Sequence, residues 1–146
     1  MSEVTNTVTG GILYSDRDTS KMFLFNNEFI SGNVNNSDYD ALVLPGGTLM
    51  GRIASSGLLV PLTSGASDGS QFPVGILAAP YTIEDGDTRE VRICVSGTVD
   101  AAMIVLQGSD TLNTVISSKR LRDRIASDTV GILLENVGQI AGYDNQ

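Results

Sequence analysis

The chain has 146 residues, 41% of them hydrophobic, enough to bury a working core without disulfides or metals. Seventeen acids against nine bases give a formal net charge of −8. That balance argues against binding to nucleic acid or an anionic membrane, both of which are gripped through Lys and Arg. There is no Trp, only 5% of residues are aromatic, and the 16 glycines suit a fold with many tight turns.

Residues 1–20 are polar and rich in Thr and Ser. Their apolar residues, Val4, Val8, Ile12, Leu13 and Tyr14, are too sparse for a core of their own. Two readings stand: a frayed terminus, or an extended arm that becomes ordered by adding a strand to a partner, with Val4, Thr5, Thr7, Val8, Ile12 and Tyr14 making the contact. Residues 21–146 read as one β-rich domain. Residues 22–25 form a short apolar strand, Asn26-Asn27 a turn, and residues 28–32 the return strand of a hairpin. Residues 33–40 are polar, and residues 41–45 make a strand ended by Pro45.

The centre of the sequence holds three strands, at 48–53, 58–62 and 72–78, joined by a turn over 54–57 and a polar, flexible loop over 63–70. Asp85-Gly86 signals a further hairpin. Residues 89–96 alternate, with Val91, Ile93 and Val95 on one face and Cys94 on the other as a small buried apolar residue. Gly97 breaks that strand, and residues 98–106 are strand-like again. Residues 110–126 are the one helical candidate. Leu112, Val115 and Ile116 make one stripe, while Leu121 and Ile125 lie on the opposite side. The expectation is two short helical pieces broken at Ser117-Ser118, with Asp110 and Ser118 as caps. Residues 129–135 form a strand, and 137–141 a further candidate. Val74-Gly75-Ile76-Leu77 echoes in Val130-Gly131-Ile132-Leu133, too short a match for a duplication.

No constellation suited to bond-making emerges. The chain has no His, the commonest general base and metal ligand, and Lys21 and Lys119 sit in polar surroundings. The acids cluster in turns. Gly46 to Arg52 approximates a phosphate loop, but Arg52 replaces its Lys and Ile53 its Ser or Thr. Glu84-Asp85-Gly86-Asp87 lacks the later bidentate Glu of a calcium loop. The reading is therefore a non-enzyme with no catalytic, metal or cofactor residues. Lys119, Arg120, Arg122 and Arg124 form one basic patch, read either as a solvated face or as a contact with another copy of the chain. No apolar run approaches the ~20 residues of a membrane span, and no secretory signal is recognisable. Synthesis in a bacterial host cytoplasm is the expectation.

The ordered pattern Gly47-Thr48-Leu49-Met50-Gly51-Arg52-Ile53, Gly57-Leu58-Leu59-Val60-Pro61-Leu62, 67–77, then Val91 to Val99 and the insertion from Asp110, resembles bacteriophage head decoration proteins of the lambda gpD-like family. The resemblance spans roughly residues 40–135. It implies a mainly β domain, a small β-barrel or β-tulip with a short broken helical insertion, in a homotrimer on the outer surface of the virion head. It also implies that the trimer binds the major capsid protein at threefold or quasi-threefold sites and cements the expanded shell against DNA pressure. The alternative is a head-fibre or host-surface binding module using loop residues 63–71.

Overall fold

Two thirteen-residue strands form the spine of the molecule. In the computed structural model, which describes residues 21–135, β1 (Phe23–Asn35) pairs antiparallel with a long strand at Thr88–Asp100. Between them come β2 (Leu42–Leu44), β3 (Leu49–Arg52), β4 (Leu59–Pro61), β5 (Pro73–Leu77) and β6 (Tyr81–Ile83), which makes the Thr88–Asp100 strand β7. A 3₁₀ turn (Ala101–Met103), β8 (Val115–Ile116), β9 (Lys119–Arg120), helix α1 (Leu121–Asp128) and β10 (Gly131–Glu135) follow.

The main sheet runs β1-β7-β5-β3-β4. One edge of β7 belongs to β1. The other is shared by β5, antiparallel at Ile93 and Cys94, and β10, parallel from Ser96 to Asp100. The Val74 and Val130 tetrapeptides thus reach the same edge but run in opposite directions. The sheet is open. Its end strands share no ladder, although Leu59 of β4 fills the space beside Gly32 of β1.

Both faces of the middle strands are buried. Leu49, Ile76, Cys94 and Val99 join Met22, Leu121, Ile125 and Ile132 in one core. Met50, Leu77, Val91, Ile93 and Val95 join Leu44, Leu59 and Ile83 in the other. Adjacent apolar pairs such as Leu49-Met50 and Ile76-Leu77 are what a two-sided sheet requires, because side chains alternate between faces.

Several expectations change. The hairpin at 22–32 does not form, since β1 runs straight through it. Asn26 takes a left-handed conformation (φ 59°) in an irregular stretch of the ladder. The Asn27 amide donates to the Thr98 carbonyl at 3.1 Å. Local turn propensity loses to thirteen residues of ladder. Gly97 does not break β7 either. With φ 103° it kinks the strand, reversing the alternation so that Cys94 and Val99 face the same core. The Gly-containing turn after Glu84 does form, with Asp87 N donating to Glu84 O, but β6 pairs with β2 rather than β7.

The first helical piece is absent. Residues 115–120 are a β-hairpin whose tip, Ser117 and Ser118, has positive φ at both positions, the geometry of a tight primed turn. The break at Ser117-Ser118 and the separate later helix are as expected. Asp110, expected as a helix cap, instead accepts from the Ser64 amide and hydroxyl, and α1 begins without a side-chain cap. The loop over 63–70 is tied down: Ser70 is buried, and Ala54 N donates to Asp68 O at 2.8 Å. The strand-like stretch at 98–106 ends at Asp100, with only Val105 bridging to Thr48 beyond it.

Candidate functional site

The four bases around α1 divide into two groups. Arg124 is built into the fold. Its Nε donates to Ile116 O at 2.6 Å, one terminal nitrogen to Ser117 O and the other to Asp128 at 3.0 Å, and its guanidinium stacks over Phe72 at 4.8 Å. It thereby holds the Ser117-Ser118 turn, which has no glycine to ease it. Lys119, Arg120 and Arg122 are exposed, with Lys119 Nζ donating to Ser127 Oγ. Replacing Arg124 with Met should lower unfolding free energy by about 1–3 kcal/mol, because carbonyls at the hairpin lose their donor. Ala at Arg120 or Arg122 should stay within about 0.5 kcal/mol in the same urea titration.

The arm residues Val4, Thr5, Thr7, Val8, Ile12 and Tyr14 lie outside the described residues, as does the strand candidate at 137–141.

Cys94 is fully buried at the centre of β7, its thiol donating to Ser96 O at 3.2 Å. Burial pushes its pKa up, which disfavours the reactive thiolate. A disulfide-exchange reagent should therefore label Cys94 at the rate of unfolding. Rapid stoichiometric labelling of native protein would contradict the burial.

The glycine-rich start of β3 makes no phosphate cradle, because its amides are committed. Gly47 N donates to Leu77 O, Thr48 N to Pro45 O and Leu49 N to Val105 O. The acidic turn is equally committed: Asp85 accepts from Tyr39 N at 2.9 Å. Among the described residues no group of three His, Cys, Asp or Glu is placed to hold a metal ion. An open depression of about 420 Å³ is lined by Thr82, Ile83, Glu84, Asp87, Thr88 and Arg89.

One surface went unread in the sequence. On the side of the sheet that buries Ile93 and Val95, the core stops at Val95. Beyond the Gly97 kink that side carries Thr98, flanked in register by Phe25 on β1 and Leu133 on β10. Phe25 is 71% exposed and Leu133 62%. The signal was present in Leu133-Leu134, whose adjacent apolar side chains point to opposite faces, so that the pair calls for cover on both sides of β10.

Residues 27–119 match the family model of the bacteriophage lambda head decoration protein D. The chain belongs to that family. It is a structural family of the phage head rather than an enzyme family, and membership places the chain on the virion capsid. Among curated proteins none matches the chain. The matched span starts earlier than the resemblance over 40–135, taking in most of β1, and ends at Lys119. Helix α1, β10 and the first residues of β1, Phe25 included, lie outside it. No helix among the described residues is long and apolar enough to cross a membrane.

Proposed function

We propose that the chain cements the phage head. It binds the outside of the expanded shell through the major capsid protein, as a homotrimer at threefold or quasi-threefold positions, and stabilises the shell against the pressure of packaged DNA. It acts without catalysis, cofactor, nucleic acid or membrane. The family match over residues 27–119 carries this reading. The architecture is an arm, residues 1–20, in front of a single domain over 21–146. The arm contacts the shell through Val4, Thr5, Thr7, Val8, Ile12 and Tyr14. Three arms per trimer multiply weak contacts into avidity. Lys119, Arg120 and Arg122 supply a polar contact between neighbouring copies.

The test is co-sedimentation of the purified chain with expanded and unexpanded heads, alongside light scattering of the free protein. Binding restricted to expanded heads, and a trimeric mass, are expected. Absence of binding to expanded heads, with binding to a host glycan instead, would overturn the reading in favour of a host-surface module.

A further inference from the structure

Exposed charges of opposite sign stand on the two faces of the sheet. Helix α1 and the β8–β9 hairpin pack on the face that buries Ile76 and Cys94, and they carry Arg120 and Arg122, both exposed. On the other face β2 and β6 pack through Leu44 and Ile83, and the loops beside them carry Asp38, Asp40, Glu84, Asp85 and Asp87, all exposed. The sheet stands between the two groups. Among the described residues the one ion pair is Arg124–Asp128, so neither group is neutralised by the other within one molecule.

Buried Asn36 ties the acidic loops into a single tip. Its side-chain amide donates to Asp40 O at 2.7 Å and to Ile83 O at 2.9 Å, and its carbonyl accepts from Gly86 N at 2.7 Å. Tyr39 stands on this tip, 87% exposed, with its amide donating to Asp85. Next to it opens the depression of about 420 Å³, with Glu84 and Asp87 in its wall. The base in that wall, Arg89, is engaged: it stacks over Tyr81 at 5.0 Å and donates to Thr82 O. An exposed ring among carboxylates, beside a recess, recognises a guanidinium by cation–π attraction and charge-assisted hydrogen bonds. Within its own fold the chain places arginine over a ring at Tyr81, Phe29 and Phe72. Tyr39 carries none among the described residues.

We infer that Arg120 and Arg122 of one protomer dock on the Tyr39 tip of the next. At −8 each, copies of the chain repel one another over most of their surface, so this pairing selects the partner patch and its register. The contact is head-to-tail. Each copy gives its basic patch and receives at its tip, an arrangement that forms a ring when the rotation between neighbours closes. The inference rests on the proposal that copies associate, and it names the surface that receives the basic patch. Arg120 and Arg122 lie beyond the span matched by the family model, so the match does not supply this contact.

Light scattering of the full chain over a concentration series tests it. Arg120→Glu with Arg122→Glu should weaken association roughly tenfold or more, and so should Asp38→Lys with Glu84→Lys. All four substitutions in one chain should restore association, because a reversed patch then meets a reversed tip. Tyr39→Ala should weaken it several-fold while Tyr39→Phe leaves it intact, since both rings attract a cation. Circular dichroism confirms that each variant is folded. Association unchanged by either reversed pair, no recovery in the quadruple variant, or a parent chain that stays monomeric would overturn the inference. Co-sedimentation with expanded heads reads cementing separately. A parent chain that associates as inferred yet ignores heads overturns the cementing reading and leaves this contact standing.

Discussion

Gly51→Ala should unfold the protein at markedly lower denaturant, with a loss at the upper end of the roughly 1–3 kcal/mol that overpacking costs. Gly51 sits on β3 between Val60 of β4 and Pro73 of β5, and the loop over 63–70 returns directly onto it. A Cβ there would overlap the Ser70 carbonyl oxygen and lie 2.8 Å from its carbon and 2.9 Å from its Cα. These are backbone atoms, so no rotamer change relieves the clash. The loop cannot move cheaply, because the Ser70 amide and hydroxyl both donate to Asp68 and Ala54 N donates to Asp68 O. Gly57→Ala is the control for space. A Cβ at Gly57 meets nothing within 4 Å, leaving only the strain of its φ of 77°. Equilibrium urea unfolding of both variants checks the pair, and equal losses would show that Gly51 is not held by close approach.

The three central strands were legible because their signals are local. Each is a short apolar run bounded by turn residues, and Gly57 adopts the left-handed conformation that its turn demands. What escaped depends on residues distant in sequence. Asn26-Asn27 carries a turn signal, yet Asn27 serves the carbonyl of Thr98, 71 residues away. Ser117-Ser118 forms a turn normally given to Asn and Gly, held by Arg124 donating to the Ser117 carbonyl from seven residues downstream. A helical period over Leu112, Val115 and Ile116 was no protection against this, since the apolar residues serve a hairpin and its approach.

The candidate site divides the same way. That the chain has no His to serve as a general base was readable from residue types. The basic patch was readable as a cluster, but not that Arg124 belongs to the fold while its neighbours face solvent. The bare face was unreadable because it arises where three strands, far apart in sequence, meet beyond a kink.

Ile125→Ala should cost about 2–5 kcal/mol and should act mainly on the C-terminal third of the domain. Ile125 and Leu121, one turn apart, are the two buried residues of α1, and both are fully enclosed. They bind the helix to the core that also holds Ile76, Cys94, Val99 and Ile132. The helix is short and lacks a side-chain N-cap, so its formation rests on this contact. Its far end is tied to β10, because Thr129 Oγ1 donates to Ile125 O and accepts from Ile132 N. Loosening α1 therefore loosens β10, the strand that presents Leu133. Hydrogen exchange resolves the order of loss: amides of 121–135 should exchange faster than in the parent under native conditions, while those of β3 and β5 keep their protection relative to global unfolding. Uniform acceleration across all strands would mean that α1 and β10 are one cooperative unit with the family core. Selective acceleration would make them an appended layer, with the matched span able to hold its own sheet without them.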